Sequence, residues 1–194
     1  MVGRASIVAR LLAGLAGVLV VAHGLAAADE VLRASSGCRA GRPQGPYQLR
    51  GDNGQLRVAG AFNDGTRTGS FIFWRANGVR EAHVPYDNGV RNGTLATWYD
   101  GPPGREPSRH VESAWRRGRR DGETRSWYPD GRRRSVTEYA NGRIVSSAGW
   151  SATGEPLAVA AARDQALRDE RDADAGYARH EALIRDHMPS CGRA

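Results

Sequence analysis

The sequence predicts a mostly β protein, an elongated antiparallel β-meander of tandem hairpins followed by a C-terminal α-helix. Three observations carry that expectation. An aromatic-x-x-Gly motif recurs four times, at Phe62 to Gly65, Tyr86 to Gly89, Trp115 to Gly118 and Tyr139 to Gly142, with its glycines 24, 29 and 24 residues apart. A fixed short period marks one supersecondary unit copied in tandem. Between these motifs runs a second series of turn pairs, Asn53-Gly54, Asn77-Gly78, Asp130-Gly131 and Thr153-Gly154, so that an Asn-Gly-like pair falls every 11 to 13 residues through most of the span. Such pairs favour the positive φ angles of type I′ hairpin turns. Finally, apolar residues share one parity between turns, as in Leu56, Val58, Gly60 and Phe62, in Ala82, Val84 and Tyr86, and in Val111, Ser113 and Trp115. That is strand periodicity.

Residues 1–28 combine Arg4 and Arg10, an apolar run from Leu11 to Val21 and the small residues Ala26, Ala27 and Ala28. This is the make-up of a secretory signal cut after Ala28, and the run is short for a membrane span. A periplasmic or secreted protein is expected. Residues 29–49 form an N-terminal extension that carries Cys38, which lies beyond the charged Asp29-Glu30 and is not placed as a lipoprotein cysteine.

Residues 50–154 hold the repeats. Gly65, Gly89, Gly118 and Gly142 are the turn glycines, and a second glycine follows the first three at Gly69, Gly93 and Gly122. Trp74, Trp98 and Trp127 come five residues later, two of them followed by Tyr99 and Tyr128. The fourth copy is degraded, with Ser146 in place of the second glycine and Trp150 one position early, as befits the end of an array. Phe62, Trp74, Tyr86, Trp98, Trp115, Trp127, Tyr139 and Trp150 are expected as the aromatic core that stacks between hairpins. An exposed ladder that binds a peptide or glycan is the functional alternative. The 29-residue interval holds Asp100 to Ser108, a proline-rich loop grown from a two-residue turn.

Residues 155–194 change character, being rich in Ala, Arg, Asp and Glu. Pro156 suits a first helical turn and Pro189 a stop. Residues 163–174 are almost entirely polar, so they are expected to be solvated or to fray near Gly176, and one long helix is expected, either continuous or broken there. Cys38 and Cys191 bracket the mature chain, and in an exported protein a lone pair is expected to be oxidised. About eight or nine strands would separate the ends of the sheet by roughly 40 Å. A helix of about 33 residues is roughly 50 Å long. A helix running back along the sheet, pinned by Cys38 and Cys191, fits those lengths. A bridge between two chains, or a bent helix with an unpaired cysteine, remains open.

The formal charge is +7, and all 28 basic residues are arginine. Residues 39–150 hold 19 Arg against 11 acidic residues, and residues 151–194 hold 6 against 8, a complementarity that favours docking of the tail on the sheet. The densest cluster comprises Arg116, Arg117, Arg119 and Arg120, with Arg125 nearby, then Arg132, Arg133 and Arg134. It is either a contact for an anionic partner, including peripheral contact with a membrane, or a solvated face.

Trp98-Tyr99 and Trp127-Tyr128, the pairs Asn77-Gly78 and Asp130-Gly131, and the segment Tyr86 to Gly93 together resemble the bacterial variant of the MORN repeat, over roughly residues 50–155. Trp115 in place of tyrosine, the proline-rich insertion and Ser146 depart from the pattern. The resemblance implies an extended sheet of hairpins used as a scaffold or binding surface, with no catalytic residue. Some bacterial proteins with this repeat carry an antitoxin label.

No nucleophile elbow, phosphate-cradling loop, HExxH spacing or His/Cys ligand pattern occurs, so neither a cofactor nor a metal is expected. The function expected is an exported noncatalytic scaffold binding a protein or cell-envelope component; an antitoxin or immunity-type protein is the alternative. Nucleic acid is disfavoured by the export signal, and nothing in the pattern specifies an oligomeric state.

Overall fold

The computed structural model describes residues 30–192, so the expected signal sequence lies outside the described residues. Eleven strands precede one helix: β1 (Leu32–Arg39), β2 (Arg42–Gly51), β3 (Leu56–Asn63), β4 (Thr66–Trp74), β5 (Arg80–Asp87), β6 (Val90–Arg91), β7 (Gly93–Trp98), β8 (Arg109–Arg116), β9 (Arg119–Trp127), β10 (Arg133–Ala140), β11 (Arg143–Gly149) and α1 (Val159–Asp186). They form one open antiparallel sheet in chain order, with the two-residue β6 paired to β5 beside β7.

The sheet is longer than eight or nine strands because it begins at Leu32, inside the stretch expected to be an extension. Ala40-Gly41 turns with positive φ at both residues, as Asp64-Gly65 does 24 positions later, and Gly45 precedes Gly69 by the same interval. β1 and β2 are thus a further copy of the hairpin, in which Cys38 occupies the place of the aromatic residue.

The turns fall into two kinds, on opposite sides of the sheet. Ala40-Gly41, Asp64-Gly65, Asn88-Gly89, Arg117-Gly118 and Asn141-Gly142 all have two successive positive φ angles, as a type I′ turn requires. We call this the turn side. In Asn53-Gly54, Asn77-Gly78 and Asp130-Gly131 the glycine alone is left-handed. Here the preceding side chain accepts the backbone N–H two residues on. The type I′ expectation therefore fails on this loop side, where an Asx turn takes its place.

Gly69, Gly93 and Gly122 sit at bulges in the ladder, with φ of 67°, 113° and 104°. Ser146 instead pairs directly with Glu138. Neighbouring hairpins are fastened on both sides. The N–H groups of Gly65, Gly89, Gly118 and Gly142 donate to the carbonyls of Pro43, Arg67, Arg91 and Arg120 in the preceding copy. On the loop side Arg75, Tyr99 and Tyr128, each the residue after a tryptophan or its equivalent, donate to the carbonyls of Trp98, Trp127 and Trp150.

The helix covers one face of the sheet. At 1.5 Å per residue its 28 residues span about 42 Å. Nine intervals between ten successive strands span about 43 Å. The helix runs unbroken through Gly176 from the last hairpin back to the first, where Cys191 bonds to Cys38 within the same chain, with Cα atoms 5.7 Å apart. Pro156 lies outside the first turn: it bridges to Trp150, and the helix starts at Val159.

Beneath the helix one row crosses nine strands, from Leu49, Val58, Phe73 and Ala82 through Thr97 and Val111 to Ser126, Ser135 and Gly149. Its two halves differ chemically. Toward the N-terminus Tyr47, Phe62, Phe71 and Tyr86 meet largely edge to face, with centroids 5.3 to 5.7 Å apart along the chain of rings. Toward the C-terminus the floor is Ser113, Thr124, Ser126, Ser135 and Thr137; Ser113 bonds to Thr124, and Ser126 bonds to Ser135 and to Asp169 of the helix. Residues 163–174 are therefore not a fraying segment. Gln165, Asp169, Glu170 and Asp174 meet the polar floor and its flanking arginines, while Arg163, Asp164, Arg168, Arg171 and Asp172 face solvent as expected.

Candidate binding surface on the turn side

Three of the five type I′ turns place an aromatic residue opposite an arginine: Phe62 faces Arg67, Tyr86 faces Arg91 and Trp115 faces Arg120, whereas Cys38 faces Pro43 and Tyr139 faces Ile144. These arginines lie on the helix side of the sheet. Arg67 pairs with Glu181, whose second oxygen accepts from Tyr86. Arg120 pairs with Glu170 at 2.9 Å and Asp174 at 2.7 Å. Burial works against the charge of Arg120, and the two carboxylates more than restore it. Burial also pushes the Tyr139 hydroxyl up to about 12, and raises those of Tyr86 and Tyr177 further.

A second row lines the loop side. Arg57, Glu81, His110 and Arg134 are the extra residues of four ladder irregularities, and they repeat at the same intervals as the glycines. Arg134 holds Asp169 of the helix at 2.9 Å, and Glu81 stands 3.4 Å from His180, which stacks on Phe73. His83 lies on the uncovered face and contacts Ser70. The arginine row and the bulge row were not recognised in the sequence, although both carry the period. Among 28 arginines a periodic few do not stand out.

The structure divides the expected basic patch between the helix face and the turn side. Arg120 and Arg134 are structural: they point at the helix and are spent on its carboxylates. Arg132 is paired with Asp130 inside its own turn, and Arg133 lies over the Trp150 ring at 5.5 Å. What remains outward on the turn side is Arg116, Arg117 and Arg119, which with Asp121 and Asn141 line an open depression of about 540 Å³. Arg116 lies 3.4 Å from Asp121, while among the described residues Arg117 and Arg119 have no ion-pair partner.

The aromatic residues divide as well. Phe62, Tyr86, Trp115 and Tyr139 are buried under the helix. Trp98 is buried beneath arginines, with Arg80 at 4.0 Å and Arg109 at 5.3 Å from its ring, whereas Trp74, Trp127 and Trp150 are half-buried. Gly65, Gly89, Gly118 and Gly142 sit in the turns as expected.

Among the described residues no three His, Cys, Asp or Glu side chains gather as a metal site, and no helix is long and apolar enough to cross a membrane. Compared with protein-family models and with curated proteins, the chain has no match.

Proposed function

We propose that this protein is an exported, noncatalytic repeat scaffold, periplasmic or secreted, that holds an anionic protein or cell-envelope component against its turn side. Its likeness to the MORN repeat leads to the same reading. The observation that carries it is the division of charge. Asp169, Glu170, Asp174 and Glu181 of the helix are committed to sheet arginines, whereas Arg117 and Arg119 stand outward beside Arg116 with no ion-pair partner among the described residues. Turns two residues long fix the backbone that carries these cations, so only side-chain freedom is lost when they meet an anionic surface. The intramolecular disulfide supports the oxidising compartment that export implies.

The test uses the oxidised mature chain and a variant with Arg116→Ala, Arg117→Ala and Arg119→Ala, leaving Arg120 and Arg134 in place so that the helix stays docked. The variant is expected to melt like the parent and to lose a partner that the parent recovers from envelope extract. Equal recovery by both removes the turn side from the function. Export is tested separately by the mass of the secreted product, which should begin at Asp29.

A further inference from the structure

We infer that Arg91 marks a recognition pocket for a carboxylate carried by a peptide partner; this rests on the scaffold reading and names the chemistry of its ligand. The argument is the repeat itself. Arg67, Arg91 and Arg120 hold one register position in three successive copies. The outer two are answered from the helix, Arg67 by Glu181 and Arg120 by Glu170 and Asp174. Opposite Arg91 the helix presents Tyr177 and Ala178. No acidic side chain among the described residues pairs with it.

The surroundings of Arg91 are rich in donors that lack acceptors. Its guanidinium lies 4.2 Å from the centre of the Trp115 ring and 5.3 Å from that of Tyr177. Nη1 of Arg91, Nε1 of Trp115 and the hydroxyl of Tyr177 are all buried without a hydrogen-bond partner. Trp115 is 6% exposed and Tyr177 3%. A buried donor left unpaired is costly, so three together favour an incoming acceptor. All three residues border an open groove of about 330 Å³, with Gly118 and Arg119 on its outer rim. The Arg91 side chain is half-buried and has no acidic partner among the described residues, so its rotation would let a ligand in the groove reach the donors packed against it.

The same groove selects the anion. Glu170, Asp174 and Glu181 also border it, committed to Arg120 and Arg67. Their charge penalises a phosphate dianion more than a monovalent carboxylate. A carboxylate also matches the planar guanidinium fork, as Asp174 does at Arg120. Both a chain-terminal carboxylate and an Asp or Glu side chain carry that group.

The test follows the Trp115 indole N–H signal by NMR in the oxidised mature protein during titration with sodium acetate. Two peptides follow, one ending in a free carboxylate and one amidated with a single internal aspartate, and inorganic phosphate is titrated at matched ionic strength. Acetate is expected to shift the signal saturably, and whichever peptide binds more tightly identifies the source. Arg91→Gln removes the fork, and Ala178→Glu supplies an internal carboxylate; each should weaken binding at least about tenfold, the size of one lost charge-assisted bond. Unchanged melting shows that both variants fold. An unresponsive indole signal, a parental response in either variant, or tighter binding of phosphate overturns the proposal. If acetate fails while the Arg116, Arg117 and Arg119 variant still loses its partner, this pocket falls and the scaffold reading stands.

Discussion

The guanidinium of Arg120 grips the carboxylate of Asp174 with both prongs, Nη2 to Oδ1 at 2.7 Å and Nη1 to Oδ2 at 3.3 Å, across 54 positions of sequence. Nη1 also donates to Glu170 at 2.9 Å. Arg120→Ala leaves two carboxylates facing a polar floor without a cation. Losing one partner of a buried pair costs about 3–5 kcal/mol, and the half-exposed Asp174 lowers the expectation to about 2–3 kcal/mol. In a chain of this size that is a melting shift of roughly 5–10 °C. Arg119→Ala, one residue away and outward, is expected to leave the melting temperature unchanged. Equal effects of the two substitutions in thermal melts would show that the ion pair does not dock the helix.

The disulfide closes the longest loop available to the chain, with 153 positions between Cys38 and Cys191. Loop closure of that length stabilises by about 4–5 kcal/mol in the chain-entropy account. Near it the helix end has modest anchors, namely burial of Ile184 and the Tyr47 hydroxyl donating to the His187 carbonyl at 3.2 Å. Cys38→Ser with Cys191→Ser should lower the melting temperature and speed amide exchange first around Ile184 to His187, while Ala162 to Asp174 stay protected. Uniform acceleration along the helix would contradict this division. Under nonreducing conditions the parent should be a monomer two hydrogens lighter than the dithiol form.

Much of this architecture was legible because the hairpin repeats at turn glycines, where only a few residue types fit. The first copy escaped notice because Cys38 stands where the other copies have an aromatic residue, and Ala40 where most have Asn or Asp. The docked helix was legible as a length and a charge balance, since its span matches the sheet. Its contacts were not. Asp169, Glu170 and Asp174 look like solvated residues until the sheet beneath them is known to offer Ser126, Arg120 and Arg134. Arg91 was invisible for the opposite reason: its significance lies in lacking the partner that its two equivalents have.

Gly60 is held as glycine by its neighbour, not by its turn. A Cβ there would lie 2.5 to 2.7 Å from three ring atoms of Phe71, which is fully buried against Tyr47, Phe62 and Tyr86. Gly60→Ala overpacks the aromatic half of the core and should destabilise by about 1–3 kcal/mol. Phe71→Ala opens a cavity and is costly alone, by about 3–5 kcal/mol. Combined, the two should cost less than their sum, because the added methyl enters the space that the ring leaves. Additive denaturation midpoints would place the strain of Gly60→Ala elsewhere.

Acid should loosen the protein in two stages. His110 is pushed below the ordinary histidine range chiefly by burial, with Arg134 and Arg75 adding to the effect and Asp169 and Asp172 opposing it. His83, on the uncovered face, is lowered by burial and by Arg80. Both rings therefore bind a proton more readily in the unfolded chain. Stability follows the difference in bound protons, so it is fully present above the unfolded value near 6.5 and declines as pH falls toward the lower folded values. Glu81 is also lowered, through its contact with His180 against the opposing effect of burial, with Arg75 and Arg179 contributing. Its stabilisation is present above the ordinary value of 4.5 and is lost as pH falls below it. Thermal melts from pH 8 to pH 3.5 should show a first decline beginning near pH 6.5 and a second below about 4.5. His83→Gln with His110→Gln should flatten the first decline and leave the second, whereas Glu81→Gln should do the reverse. A first decline that survives the double histidine substitution would mean that protonation elsewhere governs the response to acid.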